Sequence, residues 1–175
     1  MWSSLSIRDW IANGLGASSL ISNRFRLALL RSRGAELGRC IVSPGGLYVG
    51  ALENLVIRDG AYLNAGVALF PTGGITIGRD VAIGPRALIM TGTHAIGPSR
   101  KRASTPSVFL PVVIEDGAWI GGAVTIQGGV TVGRGAVIAA GAVVVSDVEP
   151  DAFYAGVPAV RKKALETNDV MERTR

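Results

Sequence analysis

The fold is decided by residues 112–148, which read VVIEDGAWIGGAVTIQGGVTVGRGAVIAAGAVVVSDV. Every sixth residue of this stretch is aliphatic, at Ile114, Ile120, Ile126, Val132, Ile138 and Val144. Four positions after each comes a small or β-branched residue, at Ala118, Val124, Val130, Ala136, Ala142 and Val148. A period of six fits neither the 3.6-residue period of an α-helix nor the spacing of a β-hairpin. It predicts short parallel strands joined by turns and wound into a coil, with three hexads in each coil.

The same period continues upstream in groups of three. These groups are Ile77, Ile83 and Ile89, then Ile57, Leu63 and Leu69, and more weakly Leu37, Ser43 and Val49. The step between these groups is eight residues instead of six, so two extra residues are absorbed at a turn each time. The predicted fold class is therefore all-β, a parallel β-helix of about five coils over residues 37–160.

Composition agrees with one domain rich in tight turns, because the 175 residues include 24 glycines and only 6% aromatics. The lone cysteine, Cys40, excludes an internal disulfide and fits a reducing compartment. No apolar run approaches the roughly 20 residues that span a bilayer, and the amino terminus lacks the pattern of a signal peptide. We expect a cytoplasmic protein.

Both ends of the chain depart from the hexad rhythm. Residues 19–34, SLISNRFRLALLRSRG, place apolar residues at helical spacing with arginines between them and Gly34 as a C-terminal cap. We expect a helix within a cap spanning residues 1–36 that covers the first coil, although a basic amphipathic helix can also lie on a membrane surface. Residues 161–175 are predicted to be a short basic tail, helical or frayed.

One large insertion interrupts the repeat. The step from Ile89 to Ile114 is 25 residues, so about nineteen extra residues leave the stack as an external loop at about 93–112. The loop begins at His94, the only histidine in the chain. A lone histidine is by default a surface or core residue, but neutral imidazole is also the side chain best suited to take a proton from a hydroxyl near pH 7.

The repeat resembles the hexapeptide-repeat acyltransferases over residues 37–163, notably in ITIGRDVAIGPR (75–86) and in residues 112–148. The segment TGTHAIG (91–97) resembles the galactoside and maltose O-acetyltransferase branch at its catalytic histidine. The resemblance implies a left-handed coil and a homotrimer with sites between subunits. It also implies direct transfer of an acetyl group from acetyl-CoA to a hydroxyl of a sugar or glycoside, with His94 as general base.

The same resemblance implies further site residues. Asn64, in AYLNAG, would orient the acceptor, and the backbone of Gly122, in AWIGG, would stabilise the oxyanion. Trp119, which projects from a turn, would line the cofactor channel beside Gly121. Each has a structural alternative, as a turn residue or a packing contact.

The segment DVEPDAFYAGVPAVRKK (147–163) resembles the A-G-x-P-A motif that ends the repeat domain in this family. There, backbone groups flank pantetheine and basic side chains reach the phosphates of coenzyme A. The usual basic residue is replaced by Val160 in this chain, which leaves open which of the following cations takes that role. The cofactor-binding candidates of this segment are Pro158, Arg161, Lys162 and Lys163, and Ala139 and Ala140 in the preceding turn are candidates for backbone contacts with pantetheine.

Two other functions stay open at this point. They are N-acylation of an amino sugar, since a general base serves both reactions, and a non-catalytic assembly or membrane-docking module. A γ-type carbonic anhydrase needs three histidines for zinc, and serine acetyltransferases carry a second active-site histidine and a large helical domain. We expect no metal and no nucleic-acid partner, and we interpret Cys40 as structural.

Overall fold

A computed structural model describes residues 14–15, 18–48 and 50–167. The helix α1 spans Asn23–Arg31 and precedes the coils. The first three coils consist of β1 (Glu36–Leu37), β2 (Ile41–Val42) and β3 (Leu47–Tyr48); β4 (Leu55–Ile57), β5 (Tyr62–Leu63) and β6 (Ala68–Phe70); and β7 (Ile75–Ile77), β8 (Ala82–Ile83) and β9 (Leu88–Met90). A hairpin follows, made of β10 (Gly92–Ile96) and β11 (Ala103–Phe109). The last coils consist of β12 (Val112–Ile114), β13 (Trp119–Ile120) and β14 (Thr125–Ile126), then β15 (Thr131–Val132), β16 (Val137–Ile138) and β17 (Val143–Val144), and the chain closes with β18 (Ala152–Ala155) and β19 (Val160–Ala164).

The strands form three parallel sheets that are the sides of a prism. The first sheet has the order β1-β4-β7-β12-β15, the second β2-β5-β8-β13-β16-β18-β19, and the third β3-β6-β9-β14-β17. The pairs are parallel except for β18 with β19 at the end of the second sheet. We call the edge between the first and second sheets the first corner, that between the second and third the second corner, and that between the third and first the third corner. The predicted left-handed β-helix of five coils is confirmed.

The aliphatic ladder fills the interior of the prism. Ile77, Ile83 and Ile89 are at most 1% exposed, and burying a side chain of this size contributes about 1.5–3 kcal/mol. The first coil departs from the prediction, because Val42 pairs with Leu63 and Tyr48 pairs with Leu69.

The predicted inward positions Ser43 and Val49 are therefore wrong by one residue. The step from Leu37 to Val42 is five residues, so the first corner of this coil is one residue shorter than in the regular hexads. Ser43 instead lies at the coil surface, half-buried, with its backbone N–H bonded to Leu63. Val49 lies outside the described residues.

Extra residues leave the prism at the third corner. Two of the insertions form 3₁₀ turns, at Leu52–Asn54 and Pro71–Gly73. The predicted external loop is the antiparallel hairpin β10–β11, which leaves at the same corner. Thr91 anchors its base: the fully buried hydroxyl donates to the Phe70 carbonyl at 2.7 Å and accepts from the Gly73 N–H at 2.9 Å.

Helix α1 closes the open end of the stack. The Asn23 side chain donates to the Cys40 carbonyl and accepts from the Val42 N–H, both at 2.9 Å, and so supplies to β2 the bonds that another coil would give. Buried Arg26 donates to the Val42 carbonyl at 2.7 Å. Gly34 follows the helix with a φ of 94°. The predicted capping helix is confirmed in this range, while residues 1–13, 16 and 17 lie outside the described residues.

The carboxy-terminal end differs from the prediction. Residues 161–164, expected to be helical or frayed as part of the tail 161–175, belong to strand β19. The turn at Gly156 and Pro158 returns the chain along β18, and the backbones of the two strands pair. The division of the chain into a cap, a coil domain and a tail stays a prediction. Among the described residues, no helix is long and apolar enough to cross a membrane.

Candidate functional site

A groove of about 390 Å³ runs along the second corner. Strands β5, β8, β13 and β16 all end there, so residues distant in sequence are stacked one coil apart. Six of the predicted site residues line this groove: Asn64, Trp119, Gly121, Gly122, Ala139 and Ala140. Five residues that the sequence did not single out as site residues also line it: Gly84, Pro85, Val137, Ile138 and Phe153.

The turns at the second corner share one backbone pattern. In every coil after the first, a left-handed residue donates its N–H to the carbonyl of the corner residue one coil below, as Gly141 does to Gly122 at 2.9 Å and Ala123 does to Pro85 at 2.8 Å. The corner residues form one column: Pro44, Ala65, Pro85, Gly122 and Ala140. A residue preceding a left-handed residue in a tight turn is the position that proline favours.

Two backbone amides in this column are unused. Pro44 and Pro85 have no N–H, and the Ala65 N–H donates to the Asn64 side chain at 2.7 Å. The N–H groups of Gly122 and Ala140 donate to no group in the part of the chain that the structure describes. They lie one coil apart, about 4.8 Å, which is the spacing of neighbouring strands. The groove therefore offers two donors for oxygen atoms of a ligand.

Close packing fixes the positions of these amides. A Cβ added to Gly84 would lie 2.5 Å from the Gly122 nitrogen, and one added to Gly121 would lie 2.5 Å from the Ala140 nitrogen. Successive coils approach each other so closely here that only glycine fits. Gly121 is thus required by the packing, whereas a Cβ on Gly122 would come no nearer than 3.3 Å to Pro85.

An apolar strip lies beside the donors. Trp119 is the first residue of β13 and not part of a turn as predicted, because the turn at the first corner ends before it. Its side chain is 59% exposed and is in register with Val137 and Phe153 on the outer face of the second sheet. Counting hexads from Trp119 leads to Val137 and then to Ala155, so the sequence period misses Phe153. Phe153 occupies the outward position of the next coil because it follows Val137 by 16 residues and not by 18.

Asn64 is half-buried directly after β5. Its Oδ1 accepts from the Ala65 N–H, so the turn role considered for it from sequence is present. The Nδ2 group has no hydrogen-bond partner among the described residues. It is available to a ligand at one end of the groove.

His94 lies on a different edge of the prism. It is exposed on β10 at the third corner and pairs with Ser107, while the groove follows the second corner. A single chain does not bring His94 and the groove together. A site that uses both needs a second copy of the chain.

The carboxy-terminal cations differ in their surroundings. Arg161 forms an ion pair with Glu149, with Nε and Oε2 3.0 Å apart. Lys163 pairs with Phe153 and continues the register of the apolar strip, while Lys162 lies at an irregularity of the same ladder. Pro158 is in the turn between β18 and β19. Of the three cations, Lys163 is therefore the one aligned with the groove.

Two groups with shifted pKa values, Cys40 and Asp59, do not line the groove. Cys40 is buried in the first coil beneath α1, and burial raises the pKa of its thiol. At the first corner, the Arg39 N–H donates to the Asp59 carboxylate at 2.8 Å and lowers its pKa. Within the described residues, no group of three acidic, histidine or cysteine side chains is placed to hold a metal ion.

Known proteins share this architecture. The profile of the family described as bacterial transferase hexapeptide (six repeats) matches residues 111–146. Nodulation protein L of Rhizobium meliloti is 42% identical over 106 residues, which are 61% of this chain and 57% of that protein. The match to this curated relative thus spans little more than half of its length.

Two solved structures align over most of the chain. One is a hexapeptide-repeat-containing acetyltransferase of Vibrio cholerae in complex with acetyl coenzyme A, with a TM-score of 0.82, 33% identity, and coverage of 91% of this chain and 86% of that one. The other is a maltose O-acetyltransferase of Clostridium difficile, with a TM-score of 0.77, 27% identity, and coverage of 90% and 84%.

Proposed function

The chain belongs to the hexapeptide-repeat transferase family, and on this premise we propose that it transfers an acetyl group from acetyl-CoA to a hydroxyl of a sugar or glycoside. The observation that carries the proposal is the pair of unused amides, Gly122 and Ala140, beside the apolar strip at the second corner. An extended pantetheine arm has this character, because its chain is apolar between amide groups that need hydrogen-bond partners.

The cosubstrate would lie along the groove. The apolar strip at Trp119, Val137 and Phe153 would contact the methylene groups of the arm. The Ala140 N–H would bind an amide oxygen of pantetheine, and the Gly122 N–H would bind the thioester oxygen. Lys163, aligned with the strip, would contact a phosphate, while Arg161 is held by Glu149.

Transfer would proceed in one displacement. The His94 imidazole would accept the proton of the acceptor hydroxyl while the hydroxyl oxygen attacks the thioester carbon. Negative charge develops on the former carbonyl oxygen and is stabilised by the Gly122 N–H. The C–S bond breaks, and the imidazolium returns the proton to the departing thiolate. No acyl-enzyme is needed, and buried Cys40 has no part in the step.

A homotrimer with shared sites accounts for the separation of His94 from the groove. The hairpin of one copy would bring His94 to the second corner of its neighbour, where Asn64 offers its amide nitrogen to the acceptor. Because the hairpin projects from the third corner, a cyclic arrangement of three copies would repeat this contact three times. Each site would then contain residues from two chains.

The test is acetyl-CoA-dependent release of free thiol with a panel of sugars and amino sugars, with product mass by mass spectrometry. His94→Ala should lower turnover about 10²- to 10⁴-fold while coenzyme A binding and the oligomeric state stay unchanged. An exposed cation on α1, replaced in Arg24→Gln, serves as the control and should have no effect. Full activity of His94→Ala would contradict the proposed mechanism. Acetylation of amino groups alone would favour the N-acyltransferase alternative.

A further inference from the structure

The hairpin β10–β11 contains a cluster of cations in addition to His94. Its sequence from residue 92 to 110 contains three cations, Arg100, Lys101 and Arg102, and no aspartate or glutamate. We propose that the acceptor bears an anionic group, a phosphate ester or a carboxylate, which Arg100 and Lys101 bind while its hydroxyl lies at His94. The inference rests on the proposed function and specifies its acceptor.

The three cations are not equivalent. Arg102 braces the hairpin turn, since its guanidinium donates to the Gly97 carbonyl at 3.2 Å and to the Ser99 hydroxyl at 3.0 Å. The turn is closed further by the Gly97 N–H, which donates to the Arg102 carbonyl at 2.8 Å. Arg100 and Lys101 are exposed and have no ion pair or side-chain hydrogen bond within the described residues. Two cations are thus held on an ordered turn without a compensating charge.

The hairpin places these cations at a defined reach from the base. Gly97 is three residues beyond His94, and a strand rises about 3.4 Å per residue, so the turn lies about 10–15 Å from the imidazole. One sugar ring spans about 5 Å, and the long Arg100 and Lys101 side chains extend from the turn and shorten the gap by roughly one ring. A charge one or two rings away from the acetylated hydroxyl would therefore meet them. A single neutral sugar at His94 would not reach them.

The surface between the base and the cations suits a sugar chain. Phe109 pairs with Gly92, and strand alternation places both on the same face of the hairpin as His94 and Ser107. The Phe109 ring is 48% exposed and packs over Gly92, where an added Cβ would lie 3.1 Å from the ring. On the side towards the turn, Ile96 is 88% exposed. Apolar side chains beside His94 offer contact area to the C–H faces of a sugar. The cations on the turn would then favour an acceptor that carries a negative charge.

The test uses the intact protein with coenzyme A bound and disaccharides in three matched forms: neutral, uronic acid and phosphate ester. Calorimetry measures their affinity, and thiol release with acetyl-CoA measures turnover separately. We expect at least one charged form to bind more than tenfold tighter than the neutral form at low salt. The double variant R100Q/K101Q should lose this advantage, by about tenfold for each cation, and leave the affinity of the neutral form unchanged.

Raising the salt concentration should weaken binding of the charged disaccharides to the wild-type protein and leave binding of the neutral disaccharide unchanged. This tests the inference without any substitution. Arg24→Gln on α1 is the matched control for loss of one exposed positive charge. Equal affinity for neutral and charged forms would overturn the inference, as would an equal loss for both forms in R100Q/K101Q. A charge preference in binding without turnover of any form would support the anionic acceptor and contradict the proposed acetyl transfer. Turnover with no preference for a charged form would contradict the anionic acceptor and support the proposed acetyl transfer.

Discussion

Gly122→Pro should remove one hydrogen-bond donor and leave the coil otherwise intact. The corner column already contains proline at Pro44 and Pro85, and Gly121 precedes Gly122 as Gly84 precedes Pro85, so the backbone at this position accepts the ring. The Gly122 carbonyl still accepts from Gly141. The substitution therefore deletes only an N–H that has no partner among the described residues.

The expected loss is that of one oxyanion donor, about 10²- to 10³-fold in kcat, or roughly 2.7–4 kcal/mol of transition-state stabilisation. The control is Gly122→Ala, which keeps the N–H and brings a Cβ no nearer than 3.3 Å to Pro85. Thiol release from saturating acetyl-CoA gives kcat, and thermal unfolding monitors the fold. A Gly122→Pro protein with the melting temperature and the kcat of Gly122→Ala would refute the assignment of this amide as the oxyanion donor.

Three further outcomes follow from the scaffold. Thr91→Val keeps the side-chain shape but removes the partner of the half-buried Gly73 N–H, so the free energy of unfolding should fall by about 1–3 kcal/mol in urea denaturation. Asn23→Ala removes both side-chain bonds to the edge of β2 and should cost about 1–3 kcal/mol in the same assay, with faster amide exchange in the first coil. The Asp59 carboxylate has a lowered pKa in the fold, so its contribution to stability is present above about pH 4 and is lost as the pH falls through the lowered value. Asp59→Asn should therefore make the melting temperature less dependent on pH below 4, and an unchanged slope would contradict the role of the Arg39 N–H.

The number of coils and the position of the insertion could be predicted because they depend on inward aliphatic residues. Ile77, Ile114 and Val132, for example, must stack in one interior, and any other register would expose them. The weak hexads at Ser43 and Val49 carried no such constraint. There the shorter corner of the first coil shifted the register by one residue, which no periodicity revealed.

A strand that is held only by backbone pairing could not be predicted from the pattern of apolar residues. The segment 160–164 is exposed and charged, so it lacks the alternation of a half-buried strand, yet it pairs with β18 at the end of the second sheet. Cations on such a terminal strand discourage further pairing at the edge.

The arrangement of the candidate site residues could be predicted in part, while their roles stay predictions. The hexad spacing places Asn64, Gly122 and Ala140 at one corner, because each lies one or two residues after an inward residue of the second sheet. The family resemblance named Gly122 and Ala140 as backbone candidates, but the sequence could not show that their N–H groups lack a partner among the described residues. That becomes visible only when the corner column is aligned and its prolines and the Asn64 side chain are recognised. The distance of His94 from the groove reflects the same geometry, because the hairpin leaves at the third corner.

The most direct test of the account is calorimetric titration of acetyl-CoA and coenzyme A into the wild-type protein and Ala140→Pro, which deletes the second unused amide at a position that accepts proline in other coils. The account predicts one binding site per chain in the wild-type protein and weaker binding of both compounds, by about tenfold, in Ala140→Pro. An absence of binding to the wild-type protein would contradict the assignment of the groove to the cosubstrate, and with it the proposed acetyl transfer.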